Sequence, residues 1–379
     1  MKVLNVNATL DPVFGGGTAE RTVQMSRFLV RSGVECTVLS SDQGWSPARA
    51  NALSGANVIT FPCVWNRFYV PKVSFRLIRG LVARADVIHL MGHWTVLNAL
   101  VYLFARRSKK PYVICPAGSL KIYGRSKWLK RIFNVLIGRR MVQHATRCIA
   151  VTADERQHFE MYDVVPDRVI VIPNGIDPAG YVTQDDAAFR TRYRLGDQPF
   201  ILFMGRLNRI KGPDLLLRAF CELGQEFNRY HLVFAGPDEG LLPELRLLVS
   251  AHSIESRVHF LGYLGGDDKI RSYHAAELVA VPSRHEAMSI VVLEAGITGK
   301  PLLLTDQCGF DEIVRINGGC VVPASVESLK LGLMSMLSDS DRLKTMGRNL
   351  QQFVRERFDW KAIVNEYLTL YQKIVSDLK

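Results

Sequence analysis

Two glutamates stand eight positions apart in SRHEAMSIVVLEAG, residues 283–296, around the otherwise apolar run Val291-Val292-Leu293. An ionised carboxylate only accepts hydrogen bonds, so such a pair among apolar residues calls for donors, supplied either by a ligand or by a helix end and solvent. A second group follows another apolar run, where FILFMG (200–205) leads into Arg206-Leu-Asn-Arg-Ile-Lys211-Gly212-Pro213. Arg206 and Lys211 flank this loop, and two such cations can neutralise a diphosphate, the arginine as a planar fork and the lysine as a point charge. Gly15-Gly16-Gly17 precede the first helical pattern, where bare backbone approaches a ligand closely and a helix N-terminus favours an anion. HLVFAGPDEG (231–240) and VHFLGYLGG (258–266) put Gly236, Asp238 and Gly262 at the ends of further apolar runs.

Each of these signals has a plain structural alternative. Arg206 and Lys211 also fit surface charge on a loop, and the glycine triplet fits a tight turn. Ser283-x-x-Glu286 matches a capping box, which would leave Glu294 as one polar residue in a mostly buried helix. On one continuous helix the two glutamates would lie about 80° apart and share no face. The binding alternative requires an irregular stretch at 284–288 with a helix starting near Ser289, so that Glu286 enters a cleft and Glu294 points back along its helix. The glycine spacing is neither GxGxxG nor GxxxxGK[ST], which disfavours a dinucleotide cofactor and ATP hydrolysis. Asp339-Ser340-Asp341 has DxD spacing but sits between helical patterns, where a cap or turn is the expected role and no metal site is assigned.

The elements that must position these residues are short Val/Ile/Leu-rich runs alternating with helical patterns. They occur at 3–7, 34–40, 57–62, 85–90, 112–116, 148–152 and 169–173, then again at 200–205, 231–236, 258–262, 277–282 and 301–305. Runs apolar on both faces with helices between them indicate parallel sheets, and ligands of such sheets bind beyond the carboxyl ends of the strands. The expected fold is α/β, with two doubly wound, Rossmann-like domains facing across a cleft. The first covers 1–190 and is joined by a last helix at 360–379; the second covers 191–359.

With 48% hydrophobic and 22% charged residues, the 379-residue chain is ordinary for a globular protein with sizeable cores. No run approaches the roughly 18 apolar residues of a membrane span, and MKVLNVNATLD lacks the pattern of a signal peptide. Seven widely spaced cysteines without a CxxC fit a reducing, cytoplasmic setting better than disulfides or zinc. The net charge of +12 is localised. Between Asp86 and Asp154 there is no acid and there are twelve bases, from Arg106 through Lys121, Arg125 and Lys130 to Arg147, while the remainder of the chain is balanced. RSKWLKRIFNVLIGRR (125–140) reads as an amphipathic helix with Lys127, Lys130, Arg131 and Asn134 on one side and its apolar side packed inward. The basic region 106–147 is therefore expected to meet an anionic membrane surface. Nucleic acid is not expected, since no recognition motif or interleaving of aromatic and basic residues accompanies the charge.

Taken in order, GGG (15–17), PNGID (173–177), GRLNRIKG (205–212), AGPDEG (235–240), FLGYL (260–264) and SRHEAMSIVVLEAGITGKPLLLTDQCGFDEIV (283–314) resemble the family 4 retaining glycosyltransferases. The match is strong in the C-terminal half and looser in the N-terminal half. The resemblance implies the GT-B architecture, a nucleotide-diphosphate sugar as substrate with no cofactor or metal, and a final helix that returns to the first domain. It assigns the donor diphosphate to Arg206 and Lys211, the ribose hydroxyls to Glu294 and the transferred sugar to Glu286. It also brings Gly262 and the backbone of Met288, Ser289 and Ile290 close to the donor, and Gly16 and Gly17 onto its phosphate. Glu286, Arg206 and Lys211 are the expected catalytic group.

Two departures stand out. Relatives have E-G-F-G where this chain has Glu286-Ala-Met-Ser289, and they often have His-Gly where it has Ala117-Gly118. Gly118 keeps the backbone position, and His89 or His93 is a candidate to replace the missing histidine near sugar or acceptor. The expected activity is transfer of a sugar to a glycan or lipid-linked acceptor, as in cell-surface polysaccharide or lipopolysaccharide synthesis, by a protein peripheral to the inner face of a membrane. The alternatives are a nucleotide-sugar epimerase on the same architecture and a non-catalytic nucleotide-sugar-binding subunit.

Overall fold

The structure, a computed structural model, describes residues 1–377 except 14, 67–68, 124–125 and 183–184. Arg125 of the basic stretch and the last two residues of the expected 360–379 helix thus lie outside the described residues. The chain divides into two units, Met1–Gly175 with Trp360–Lys379, and Ile176–Asp359. The break falls earlier than the expected residue 190 because the segment after Gly175 is bonded into the second unit. There the Tyr181 hydroxyl reaches Glu294 at 2.8 Å, Arg190 donates to the Ala275 carbonyl at 2.9 Å and Tyr193 donates to Asp268 at 2.9 Å.

The first unit holds strands β1 (Lys2–Val6), β2 (Glu35–Ser41), β3 (Asn57–Phe61), the short pair β4 (Cys63–Trp65) and β5 (Val70–Pro71), then β6 (Val87–Met91), β7 (Tyr112–Cys115), β8 (Arg147–Ala150) and β9 (Val169–Val171). Its seven-stranded sheet has the order β3-β2-β1-β6-β7-β8-β9. Val3 pairs with Cys36 on one side and Val87 on the other, both in parallel register. Residues of the central strands, such as Val6, Ile88, Leu90 and Ile114, are fully buried, which is why these runs read as continuously apolar. The last helix, Trp360–Ser376, belongs to this unit through buried aromatics: Trp360 stacks on Phe28 at 6.1 Å, and the Tyr371 hydroxyl meets His89 Nδ1 at 2.7 Å.

The second unit holds β10 (Phe200–Met204), β11 (His231–Ala235), β12 (Val258–Gly262), β13 (Leu278–Val281), β14 (Leu302–Thr305) and β15 (Gly319–Val322). Its sheet runs β12-β11-β10-β13-β14-β15, with every pairing parallel. Both sheets turn back on their first strand, the strand order of doubly wound, Rossmann-like domains. The sequence pattern missed β15, a half-buried edge strand entered through two glycines, and the two-stranded pair β4-β5. Among the described residues no helix is long and apolar enough to cross a membrane.

One expectation is overturned. Helix Lys127–Phe133 continues through a π-helical turn, Asn134–Gly138, into Arg139–Gln143. Lys127 and Arg131 stay exposed as expected, but Lys130 and Asn134 turn partly inward and part of the apolar side turns outward. Asn134 faces inward, its Oδ1 accepting from His93 Nε2 at 2.9 Å and its Nδ2 donating to the Tyr162 hydroxyl at 2.7 Å. Lys130 donates to the Tyr123 carbonyl and lies over the Trp94 ring. Phe133 and Ile137 pack on the core, but Trp128, Ile132, Val135 and Leu136 point outward, 63%, 47%, 80% and 68% exposed.

Candidate functional site

Arg206, Lys211, Gly262, Glu286, Met288, Ser289, Ile290 and Glu294 all lie in the second unit, at the end of β12, in loops after its strands or in the helix after β13. The loop after β10 is tied to its neighbours by backbone. Leu207 donates to the Pro237 carbonyl at 2.9 Å, Glu239 donates back to Leu207 at 3.2 Å, and Gly236 donates to the Gly262 carbonyl at 2.7 Å. Gly236 has φ +148°, and a Cβ there would stand 1.9 Å from the Gly205 carbonyl oxygen. The next helix, Pro213–Cys221, begins with proline as expected and follows Gly212, whose φ is +71°.

The loop after β13 locks onto the loop after β10. Arg284 donates from its backbone to the Ile210 carbonyl at 2.7 Å, and its guanidinium grips the buried Asp214 with bonds of 2.8 and 2.7 Å. Burial alone would push the Asp214 carboxyl up, but the hydrogen bonds and charge of Arg284, joined by Arg209, hold it below the usual range. This tie sets the two loops side by side, and the Lys211 ammonium meets the Glu286 carboxylate across them. Arg206 is paired with Glu239 at 2.9 Å, and the amide of Asn208 donates to the other oxygen of Glu239 at 2.6 Å. Both cations expected at a diphosphate are therefore held by a carboxylate each. Glu239 and Asn208 went unassigned from sequence, although both sit inside motifs quoted there.

The capping-box alternative for Glu286 does not hold. The helix starts at Ile290, residues 284–288 are irregular, and the N-cap Ser289 supplies no side-chain bond. The Ser283 hydroxyl is directed at the Glu286 carboxylate, 3.4 Å away. The Glu286 backbone amide donates to Gln307 at 2.9 Å, which fixes the residue in its loop. Met288 and Ser289 are buried just before a first helical turn that receives no capping side chain.

Glu294 is 2% exposed and accepts from three side chains: Lys269 at 2.5 Å, Tyr273 at 2.6 Å and Tyr181 at 2.8 Å. Burial, and then the charge of Glu294, push the Tyr273 phenol well above its ordinary range, so it stays a proton donor. Sequence reasoning missed these partners. Their one signal was Lys269 and Tyr273 four residues apart on one helix, Gly266–Ala275, which puts both on one face. Asp339 caps the helix Ser340–Arg357, accepting from Asp341 and Arg342 at 3.1 and 3.0 Å, so the DxD spacing is a cap. Among the described residues no group of three or more His, Cys, Asp or Glu converges as a metal site.

The remaining candidates lie in the first unit. Gly16, with φ +58°, and Gly17 open the helix Gly16–Arg31 after β1, and a Cβ on Gly16 would meet nothing within 4 Å. Gly118 follows β7, and its backbone amide, with that of Val151, supplies hydrogen bonds to the buried carboxylate of Glu155. The two histidines expected near sugar or acceptor are both buried within the first unit, their rings bonded to Tyr371 and Asn134. His89 lies within β6, fully buried, with its imidazole pushed down to about 3 by burial and then by Arg21. His93 is enclosed by Trp94, Phe133 and Tyr162, and burial pushes it down to about 4 despite its bond to Asn134. Both rings are neutral core residues.

Comparison with known proteins matches two family models, "Glycosyl transferases group 1" over residues 185–353 and "Glycosyl transferase 4-like domain" over residues 16–175. An uncharacterised glycosyltransferase of Methanocaldococcus jannaschii is 26% identical over 98% of each chain. D-inositol 3-phosphate glycosyltransferase of Nocardia farcinica is 34% identical over 55% of this chain, and the match spans about half, 49%, of that protein. Among solved structures, Anabaena Alr3699/HepE in complex with UDP and glucose superimposes with a TM-score of 0.83 at 19% identity, covering 98% of this chain and all of that one.

Proposed function

The chain belongs to the family 4-type glycosyltransferases of GT-B fold, and from that premise we propose that it transfers a sugar, with retention of configuration, from a nucleoside diphosphate sugar to a hydroxyl of a glycan or lipid-linked acceptor. The observation that carries this reading is the Arg284–Asp214 tie, which brings Lys211 and Glu286 into contact from two different loops of the second unit. In the proposed complex Arg206 and Lys211 receive the diphosphate. A diphosphate carries more charge than either carboxylate that now holds them, and each cation has further N–H groups to offer.

As the bond from the anomeric carbon to the diphosphate breaks, its electron pair goes to the phosphate oxygen and positive charge develops on the sugar. The acceptor hydroxyl attacks the same face and passes its proton to that oxygen. Lys211 and Arg206 stabilise the departing charge, and Glu286 orients sugar hydroxyls and the Lys211 ammonium together. Glu294 has one acceptor site left beyond its three present partners. A ribose hydroxyl takes that site or replaces Lys269, the partly exposed member of the three. The basic region 106–147 supports an acceptor displayed on the anionic inner face of a membrane.

Incubation of the chain with nucleotide sugars, with and without lipid-linked acceptor, tests this. Expected are acceptor-stimulated release of nucleoside diphosphate and a product keeping the donor's anomeric configuration by proton NMR. An inverted product would refute the retaining mechanism, and an isomerised donor without transfer would favour an epimerase.

A further inference from the structure

Among the described residues, the outward side of the 127–143 segment in the first unit is left exposed. Trp128, Ile132, Val135 and Leu136 recur at helical spacing and form a stripe of large apolar side chains, each about half exposed or more. Rolling the segment to hide them would tear Asn134 from His93 and Tyr162 and pull Phe133 and Ile137 off the core, so the stripe is held facing outward. Its frame is basic: Lys127, Arg131 and Arg140 are exposed beside it on the same segment. Arg106 is exposed on the helix Val96–Arg107, which is tied to the end of the segment by the bond of the Tyr102 hydroxyl to His144 Nδ1 at 2.9 Å. Among the described residues, the acid paired with the segment is Asp163, bound to Arg139 at 2.6 Å.

An apolar stripe with a cationic border on a helix fits the boundary between lipid headgroups and acyl chains. A protein partner would be expected to offer acids at fixed places, whereas an anionic membrane offers them everywhere around the stripe. The inner side of the segment lies against His93 and Trp94, just past the carboxyl end of β6, the end at which open α/β sheets take their ligands.

We propose that Trp128, Ile132, Val135 and Leu136 insert into the headgroup boundary of an anionic membrane while the surrounding lysines and arginines engage the phosphates. The inference deepens the reading of a membrane-displayed acceptor and rests on it. It reverses the expectation from sequence, in which only the basic side met lipid.

The test is co-sedimentation of the full chain with vesicles of phosphatidylcholine alone and of phosphatidylcholine mixed with phosphatidylglycerol. Wild type is expected to bind the mixed vesicles and to bind neutral ones weakly. Val135→Ser with Leu136→Ser, at exposed positions that the fold tolerates, should lower binding to mixed vesicles by about tenfold or more. Arg131→Gln and Arg140→Gln should lower it by about fivefold per charge. Equal binding to both vesicle types would overturn the proposal, as would full retention of binding by the serine variant. A dimer detected by light scattering and abolished in the serine variant would assign the stripe to a second copy instead. Nucleoside diphosphate binding, measured without vesicles, checks the donor reading separately. Its absence beside intact, stripe-dependent vesicle binding would sink that reading and leave this one standing.

Discussion

Replacing Gly212 by alanine tests whether the loops after β10 and β13 form one rigid platform. Gly212 has φ +71°, and an added Cβ would stand 1.9 Å from the Pro282 carbonyl oxygen and 2.9 Å from its carbon. Alanine in the left-handed region costs about 1–2 kcal/mol, and forced overpacking adds about 1–3 kcal/mol. Together these predict a loss of about 2–5 kcal/mol and a fall in Tm on the order of 4–20 °C for a unit of this size. The loops must also part by about 1 Å, and a misplacement of that size at a reacting site lowers rate by about a hundredfold. Pro282 leads directly into the loop of Glu286, while Gly212 follows Lys211, so the displacement falls on that pair. Thermal unfolding and donor-dependent release of nucleoside diphosphate would be measured beside Gly205→Ala. At Gly205 the added carbon meets nothing closer than 3.5 Å, so that variant should match wild type. If Gly212→Ala melts and turns over like wild type, the coupling of the two loops is wrong.

Glu286→Gln keeps the shape of the side chain and removes the charge opposite Lys211. Tm should change little while transfer falls by at least about tenfold, and full transfer at unchanged Tm would exclude the sugar-orienting role. Tyr273→Phe removes a buried donor from a charged acceptor, and should lower stability by about 1.5–3 kcal/mol in urea unfolding; an unchanged midpoint would mean the bond to Glu294 does not form. The buried histidines make stability depend on pH. His89 and His93 titrate at about 3 and 4 when folded but near 6.5 unfolded, so only the unfolded chain takes up their protons below pH 6.5. Their contribution is fully present above pH 6.5 and falls by about 1.4 kcal/mol per pH unit for each histidine until the folded values are reached. Unfolding midpoints of His89→Gln should flatten over this window, and an unaltered slope would show that His89 does not titrate this way.

What the sequence revealed and what it concealed divide along the range of the interactions. Strands such as β6 and β10 were legible because burial on both faces leaves an uninterrupted apolar run, whereas β15 and the β4-β5 pair bury too little to leave one. Arg206, Lys211, Glu286 and Glu294 were legible as unusual charges beside apolar strand ends. Their partners Glu239, Asn208, Lys269 and Tyr181 were not, because each contact joins residues 25 or more positions apart. The ambiguity of Glu286 between cap and ligand group could not be resolved from Ser283-x-x-Glu286, since a capping box and a loop have the same spacing. The bond from Arg284 to the Ile210 carbonyl decides it by holding 284–288 out of the helix. The outward stripe was misjudged because apolar residues cover more than half of the wheel over this segment, and the pattern alone does not say which part of them faces the core.

The central claim is that the second unit holds the two ends of one donor with different residues, the diphosphate with Arg206 and Lys211 and the ribose with Glu294. Isothermal titration of a panel of nucleoside diphosphates and their parent nucleosides into wild type, Lys211→Met and Glu294→Gln tests this most directly. At least one diphosphate should bind wild type. Lys211→Met should weaken that diphosphate by about tenfold or more and leave its nucleoside unaffected, while Glu294→Gln should weaken both. If Lys211→Met binds the diphosphate as tightly as wild type, or Glu294→Gln spares the nucleoside, the assignment of the two ends is contradicted.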